Sequence, residues 1–183
     1  ILQGTPNGIK ADPESMLVFS PAHFTWMDTN YPAGTPREGY PVEIQALWFA
    51  ALRFLSEELS AEEQLVWKQR AEKCAESLIK YFVLRDKPYL SDCLHCKAGE
   101  TPAQATADDH LRPNQLYAIT LGAITNPQLC RTILESCSSL LIPGAIRSLA
   151  DRDVLYPLPV RGGENHLLND PLHPYCGRYE GDE

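Results

Sequence analysis

"PVEIQALWFAALRFL", residues 41–55, opens on a proline and then repeats apolar side chains at helical intervals. Proline suits a first helical turn, where its missing N–H would have had no partner in any case. Ile44, Leu47, Trp48, Ala51, Leu52 and Leu55 then fall on one face at the helical period, so the stretch predicts a first helix with that face buried. Downstream, Ser60 and Glu63 have the form of a capping box. Trp67, Ala71, Cys74, Leu78 and Phe82 predict a second helix, with Lys68, Arg70, Glu72, Lys73, Glu76 and Lys80 mostly turned to water.

Pro113 begins a third segment, NQLYAITLGAIT, apolar nearly all round, which predicts an inner helix packed on several sides. Asn126 and Pro127 read as the cap and first turn of a fourth helix. Its face is Cys130, Ile133, Leu134, Cys137, Leu140 and Leu141, and Pro143-Gly144 stops it. Without any strand–helix–strand rhythm, the expected class is all-α. Helices one and two are joined by a couple of residues around Leu59, and helices three and four by a couple around Thr125, which predicts two antiparallel hairpins. The long segments 1–40, 85–111 and 143–183 then share one end of the helices, the layout of a scaffold with a working face.

Composition narrows the possibilities. The chain has 183 residues and 44% hydrophobic content, enough for one domain with a real core. A formal net charge of −8 argues against a sequence-independent nucleic-acid binder, which would need clustered Lys and Arg. No apolar run approaches the ~20 residues of a membrane span, and the first residues lack the pattern of a secretory signal, so a cytoplasmic protein is expected. The start at Ile1 rather than Met suggests a piece of a longer chain. The six cysteines are too sparse for a disulfide scaffold. Cys93-Leu-His95-Cys96 has metal-ligand spacing but lacks the second pair that a structural zinc site uses, so a core or loop role outweighs a metal role.

Several loop residues invite chemistry. Asp28 follows Trp26 and Met27. An acid beside a large aromatic suits proton donation, although from the residues alone a turn aspartate is the first reading. Arg37 and Glu43 flank Tyr40, near Tyr31 and Trp48, where aromatic faces and charged groups suit sugars as well as an ordinary helix-start network. In "DDHLRPNQLYAIT" the side chains of Arg112, Asn114 and Gln115 meet a buried helix and must be hydrogen-bonded, to loop carbonyls or to a ligand. Asp108, Asp109 and His110 read as solvated loop residues. Arg147, Tyr175 and Tyr179 lie in the last long segment. Nucleotide, serine-hydrolase and zinc-protease motifs are missing, which leaves carbohydrate chemistry.

Three segments carry a resemblance: "SPAHFTWMDTNYPAGTPREGYPVEIQALWFAAL" from Ser20, "LRPNQLYAIT" and "PGAIRSLA". Together they resemble the C-terminal amylo-alpha-1,6-glucosidase domain of glycogen debranching enzymes, in that family's order. The resemblance implies part of an (α/α)6 toroid, an incomplete ring that exposes apolar flanks and self-associates or needs the rest of its parent chain. It implies inverting hydrolysis of α-1,6-linked glucose in glycogen or another branched α-glucan, with neither metal nor organic cofactor. By the same resemblance Asp28 is the general acid, and Trp26, Arg37, Glu43, Arg112, Asn114 and Gln115 shape the glucose subsite. The base is expected beyond residue 183, and Glu180, Asp182 and Glu183 are not promoted to it, so residues 1–183 read as one partial domain, inactive alone. Competing readings are another inverting (α/α)6 hydrolase, glucoamylase-like or trehalase-like, a glucan-binding module, and a helical interaction domain.

Overall fold

The computed structural model describes residues 1–28, 35–175 and 177. Tyr31, Cys176, Tyr179, Glu180, Asp182 and Glu183 lie outside the described residues. In chain order the elements are β1 (Lys10–Ala11), β2 (Val18–Phe19), β3 (Gly39–Pro41), α1 (Val42–Glu58), α2 (Ala61–Phe82), β4 (Cys93–His95), β5 (Thr106–Ala107), a 3-10 turn (Pro113–Gln115), α3 (Leu116–Thr120), α4 (Pro127–Ser138), β6 (Leu141–Ile142), β7 (Ala145–Ile146) and a second 3-10 turn (Gly163–Asn165).

This corrects the expectation of an all-α chain forming part of an (α/α)6 toroid. Among the described residues, four α-helices are accompanied by three small antiparallel sheets, a mixed α and β architecture. The strands are two or three residues long, too short to display period-2 alternation, and β3 finds its partner in the distant β4. Gly39, Tyr40 and Pro41 pair with His95, Leu94 and Cys93, and the other edge of β4 pairs with β5. Pro41 is tolerated because β3 is an edge of this sheet. The long segments thus meet the helices as pinned ladders.

Gly39 is indispensable to that ladder. Its φ is +133°, and a Cβ there would lie 2.0 Å from the Leu94 carbonyl oxygen, closer than any side chain tolerates. Its own N–H and C=O pair with Ser20 at 3.0 and 2.7 Å, which draws the N-terminal segment onto the same sheet.

α1 and α2 pack antiparallel, the thiol of Cys74 reaching the Gln45 carbonyl at 3.8 Å across the pair. The α2 face forms as expected, with Ala71, Cys74, Leu78 and Phe82 buried. α1 is rotated from the expected face: Val42, Ala46, Phe49 and Leu52 enter the core, while Leu47 and Phe54 stay outside. Gln45, fully buried, binds the backbone of Val18 in both directions at 2.6 and 2.9 Å, which fixes that rotation. The Ser60 hydroxyl bonds the Glu63 carboxylate at 2.7 Å rather than a backbone N–H, so the capping box does not form as expected.

The third helix is also shorter than expected. It ends at Thr120, where Leu121 and Gly122 turn the chain with Gly122 at φ +80°. Asn126 does cap α4, accepting from the Leu129 N–H. Leu141 and Ile142 leave the helix to pair with Ile146 and Ala145 around Pro143-Gly144.

Candidate functional site

Four charged side chains are buried where β3, α1, β4 and the 3-10 turn converge: Arg37, Glu43, Asp92 and Arg112, none more than 2% exposed. Arg37 grips Glu43 with both terminal nitrogens, one bond being 2.6 Å. Its Nε lies 2.8 Å from Asp92 Oδ2, a close ion pair rather than an aligned hydrogen bond. Arg112 Nε is 3.7 Å from the same oxygen, and its Nη1 donates to the Ser148 carbonyl at 3.1 Å. Two arginines against two carboxylates leave the cluster neutral, the condition under which buried charge is tolerated. Burial would lower the affinity of the Arg37 guanidinium for its proton, but Asp92 and Glu43 outweigh it and raise that affinity. Arg37 itself adopts φ +43°, a conformation disfavoured for a residue with a side chain and held here by its ion pairs.

Asn114 connects this cluster to the surface. Its amide nitrogen donates to Asp92 Oδ1 at 2.8 Å, and its oxygen accepts from the Trp26 indole at 3.2 Å. Met27 beneath is fully buried against the same amide, while Asp28, next in sequence, is exposed. A cavity of about 540 Å³ opens at this point, lined among others by Trp26, Glu43, Leu47, Asn114 and Tyr117. Its walls are chiefly apolar with a few polar groups, the usual make-up of a small-ligand site.

The expected residues thus divide. Trp26, Arg37, Glu43, Arg112 and Asn114 form one connected network, and Trp26, Glu43 and Asn114 border the cavity. Gln115 adjoins them, but its amide is used within the fold: the oxygen accepts from Leu90 N–H and the nitrogen donates to the Arg112 carbonyl, each at 3.0 Å. The Ser148 contact brings the 147–148 segment to Arg112, and Arg147 lies over the Tyr175 ring at 5.2 Å.

Sequence reasoning missed Asp92, which holds Arg37, Arg112 and Asn114 together. An acid inside "YLSDCL", between apolar residues, was the available sign, since such a group is buried only when paired. Asp108, Asp109 and His110 are buried, contrary to the solvated loop expected for them. Asp108 accepts from Ser91 Oγ at 3.1 Å and from the Asp92 N–H at 2.8 Å, and lies 2.9 Å from His95 Nε2 and 3.5 Å from His110 Nδ1. Burial alone would raise its pKa; His110, His95 and the Asp92 N–H outweigh that and hold it well below the usual carboxylate range. Asp109 binds the backbone N–H groups of Leu155 and Tyr156, with one oxygen 2.8 and 3.0 Å from them.

These contacts build a second cavity of about 570 Å³, lined by residues that include His23, Arg37, His95, His110, Tyr156 and Arg161. The His95 and Tyr156 rings stack at 4.3 Å, and His110 Nε2 lies 2.8 Å from the Tyr156 carbonyl oxygen.

No helix among the described residues is long and apolar enough to cross a membrane. No curated protein and no solved structure matches the chain. Residues 1–169, which contain every buried charge of the network and both cavities, match the amylo-alpha-1,6-glucosidase family. The chain belongs to that family of glycogen-debranching glucosidases.

Proposed function

We propose that the cavity beside Trp26 receives the terminal glucose of an α-1,6 branch in a glycogen-like glucan, and that Asp28 donates a proton to the departing glycosidic oxygen. The indole of Trp26 offers a flat apolar face to the C–H side of a sugar ring. Arg37, Arg112 and Asp92 act by holding Asn114 and Glu43 in place. The observation that carries this reading is the Trp26–Asn114 hydrogen bond, which ties the loop bearing Asp28 to a buried polar scaffold bordering a cavity.

Hydrolysis with inversion needs a second carboxylate roughly 6.5–9.5 Å from the acid to activate water on the opposite face of the sugar. Glu43 is committed to Arg37 and is a poor candidate. Proton transfer and an oriented water are sufficient chemistry for the reaction.

The test uses the full-length protein and a dextrin bearing single α-1,6-glucosyl stubs. Asp28→Asn is expected to lower turnover by roughly 10²–10⁴-fold, the usual contribution of a general acid, while dextrin binding persists. Proton NMR of the fresh product should show β-glucose. Unchanged turnover in Asp28→Asn, or α-glucose as first product, would overturn the reading.

A further inference from the structure

The second cavity is separated from the first by one ion pair. Arg37 lines the His95–Tyr156 cavity, Glu43 lines the Trp26 cavity, and the two side chains are bonded to each other. The loop before Asp28 serves both, with His23 in one lining and Trp26 in the other.

The chemistry of the second cavity favours an uncharged, hydroxylated ligand. Its basic groups are for the most part already balanced from behind: Arg37 by Glu43 and Asp92, His95 and His110 by Asp108. Its other walls include His23, Thr35, the Tyr156 ring, Leu158 and three prolines, Pro36, Pro157 and Pro159, which mostly present C–H and aromatic surfaces. Arg161, at the exposed side, donates to the Asn165 carbonyl at 3.0 Å. A volume of about 570 Å³ is within the range of ordinary ligand sites.

An α-1,6 branch point joins two chains that leave in different directions, so an enzyme that holds both needs two adjoining recesses. The geometry points to the His95–Tyr156 cavity as the binding site for the linear α-1,4-glucan segment that carries the branch, an inference that rests on the glucosidase reading above. Trp26 and Tyr156 then serve different arms of one substrate.

Titration calorimetry on the full-length protein tests this with maltotetraose as the linear probe and isomaltose as the branch probe. Tyr156→Ala is expected to weaken maltotetraose about tenfold and leave isomaltose within about twofold, whereas Trp26→Ala does the reverse, in keeping with the size of aromatic contacts. In the unmodified chain, maltotetraose should shift the NMR resonances of the His95 ring, a readout that requires no folded variant. The inference falls if maltotetraose does not bind, if it leaves the His95 resonances in place, if Tyr156→Ala folds and keeps its affinity, or if inorganic phosphate displaces the sugar. Should Asp28→Asn retain turnover while Tyr156→Ala loses maltotetraose, the acid assignment falls and this glucan site stands.

Discussion

Asp92 and Asn114, 22 positions apart, are joined by a 2.8 Å hydrogen bond between buried side chains, and Asn114 passes that contact to the indole of Trp26. Asp92→Ala leaves two arginines with one carboxylate in a dry interior. Stability is expected to fall by ~3–5 kcal/mol, the usual result of orphaning a buried charge, read from a urea titration. Trp26 emission should shift in the surviving folded fraction, because its partner amide is no longer held.

Arg37 and Glu43 should behave as a unit. Arg37→Met and Glu43→Leu are each expected to destabilise, and the double variant by less than their sum, with a coupling of about 1–3 kcal/mol. Simple additivity in a double-mutant cycle would contradict the bidentate contact.

Gly39→Ala tests the ladder directly. With φ at +133° and a backbone oxygen 2.0 Å from the new methyl group, β3 must separate from β4. A loss of ~3 kcal/mol or more, or failure to fold, is expected, whereas Gly99→Ala, with nothing within 4 Å of its new atom, pays only for its positive φ and costs less.

Two groups give opposite pH dependences. His173 bonds Asp153 and Asp151 at 2.7 and 3.0 Å, and these bonds raise its pKa above 6.5. That contribution is complete below pH 6.5 and is lost as pH rises through the folded value. NMR titration of the ring should show the raised midpoint, and Asp153→Asn should return it toward 6.5. The Asp108 pKa is depressed, so its contribution is complete above about pH 3.8 and is lost on acidification below that point. Asp108→Asn should flatten the acid limb of the stability curve.

Thiol reactivity should follow burial. Burial pushes Cys74 up to about 12 and Cys96 to about 11, and it also raises Cys93, which is fully buried. Cys96, partly exposed, is expected to react with a disulfide reagent before Cys74 or Cys93 does, as peptide mapping over time would show.

The sequence revealed those features whose cause is local. The α2 face was legible because Ala71, Cys74, Leu78 and Phe82 make one regular stripe on a helix rich in charged residues. α1 was not, because its apolar residues nearly surround it and the choice of buried face is made by Gln45 and the distant Val18 backbone. Strands of two or three residues carry no period, and what holds Gly39 against His95 is a pairing across more than fifty positions. Arg112 and Asn114 were noticed because polar groups beside an apolar helix need partners, and Arg37 because it stands with Glu43 at a helix start among aromatic residues. Asp92 escaped notice, and Asp108 was read as solvated, because Arg37 and Asn114 in the one case and Ser91 and His95 in the other come from other segments of the chain.

The buried quartet of Arg37, Glu43, Asp92 and Arg112 sums to zero charge away from water. Dissolved salt screens exposed charges over a Debye length of about 8–10 Å and reaches such a group poorly. A protein of net charge −8 therefore keeps this internal scaffold insulated from the ionic strength of its surroundings.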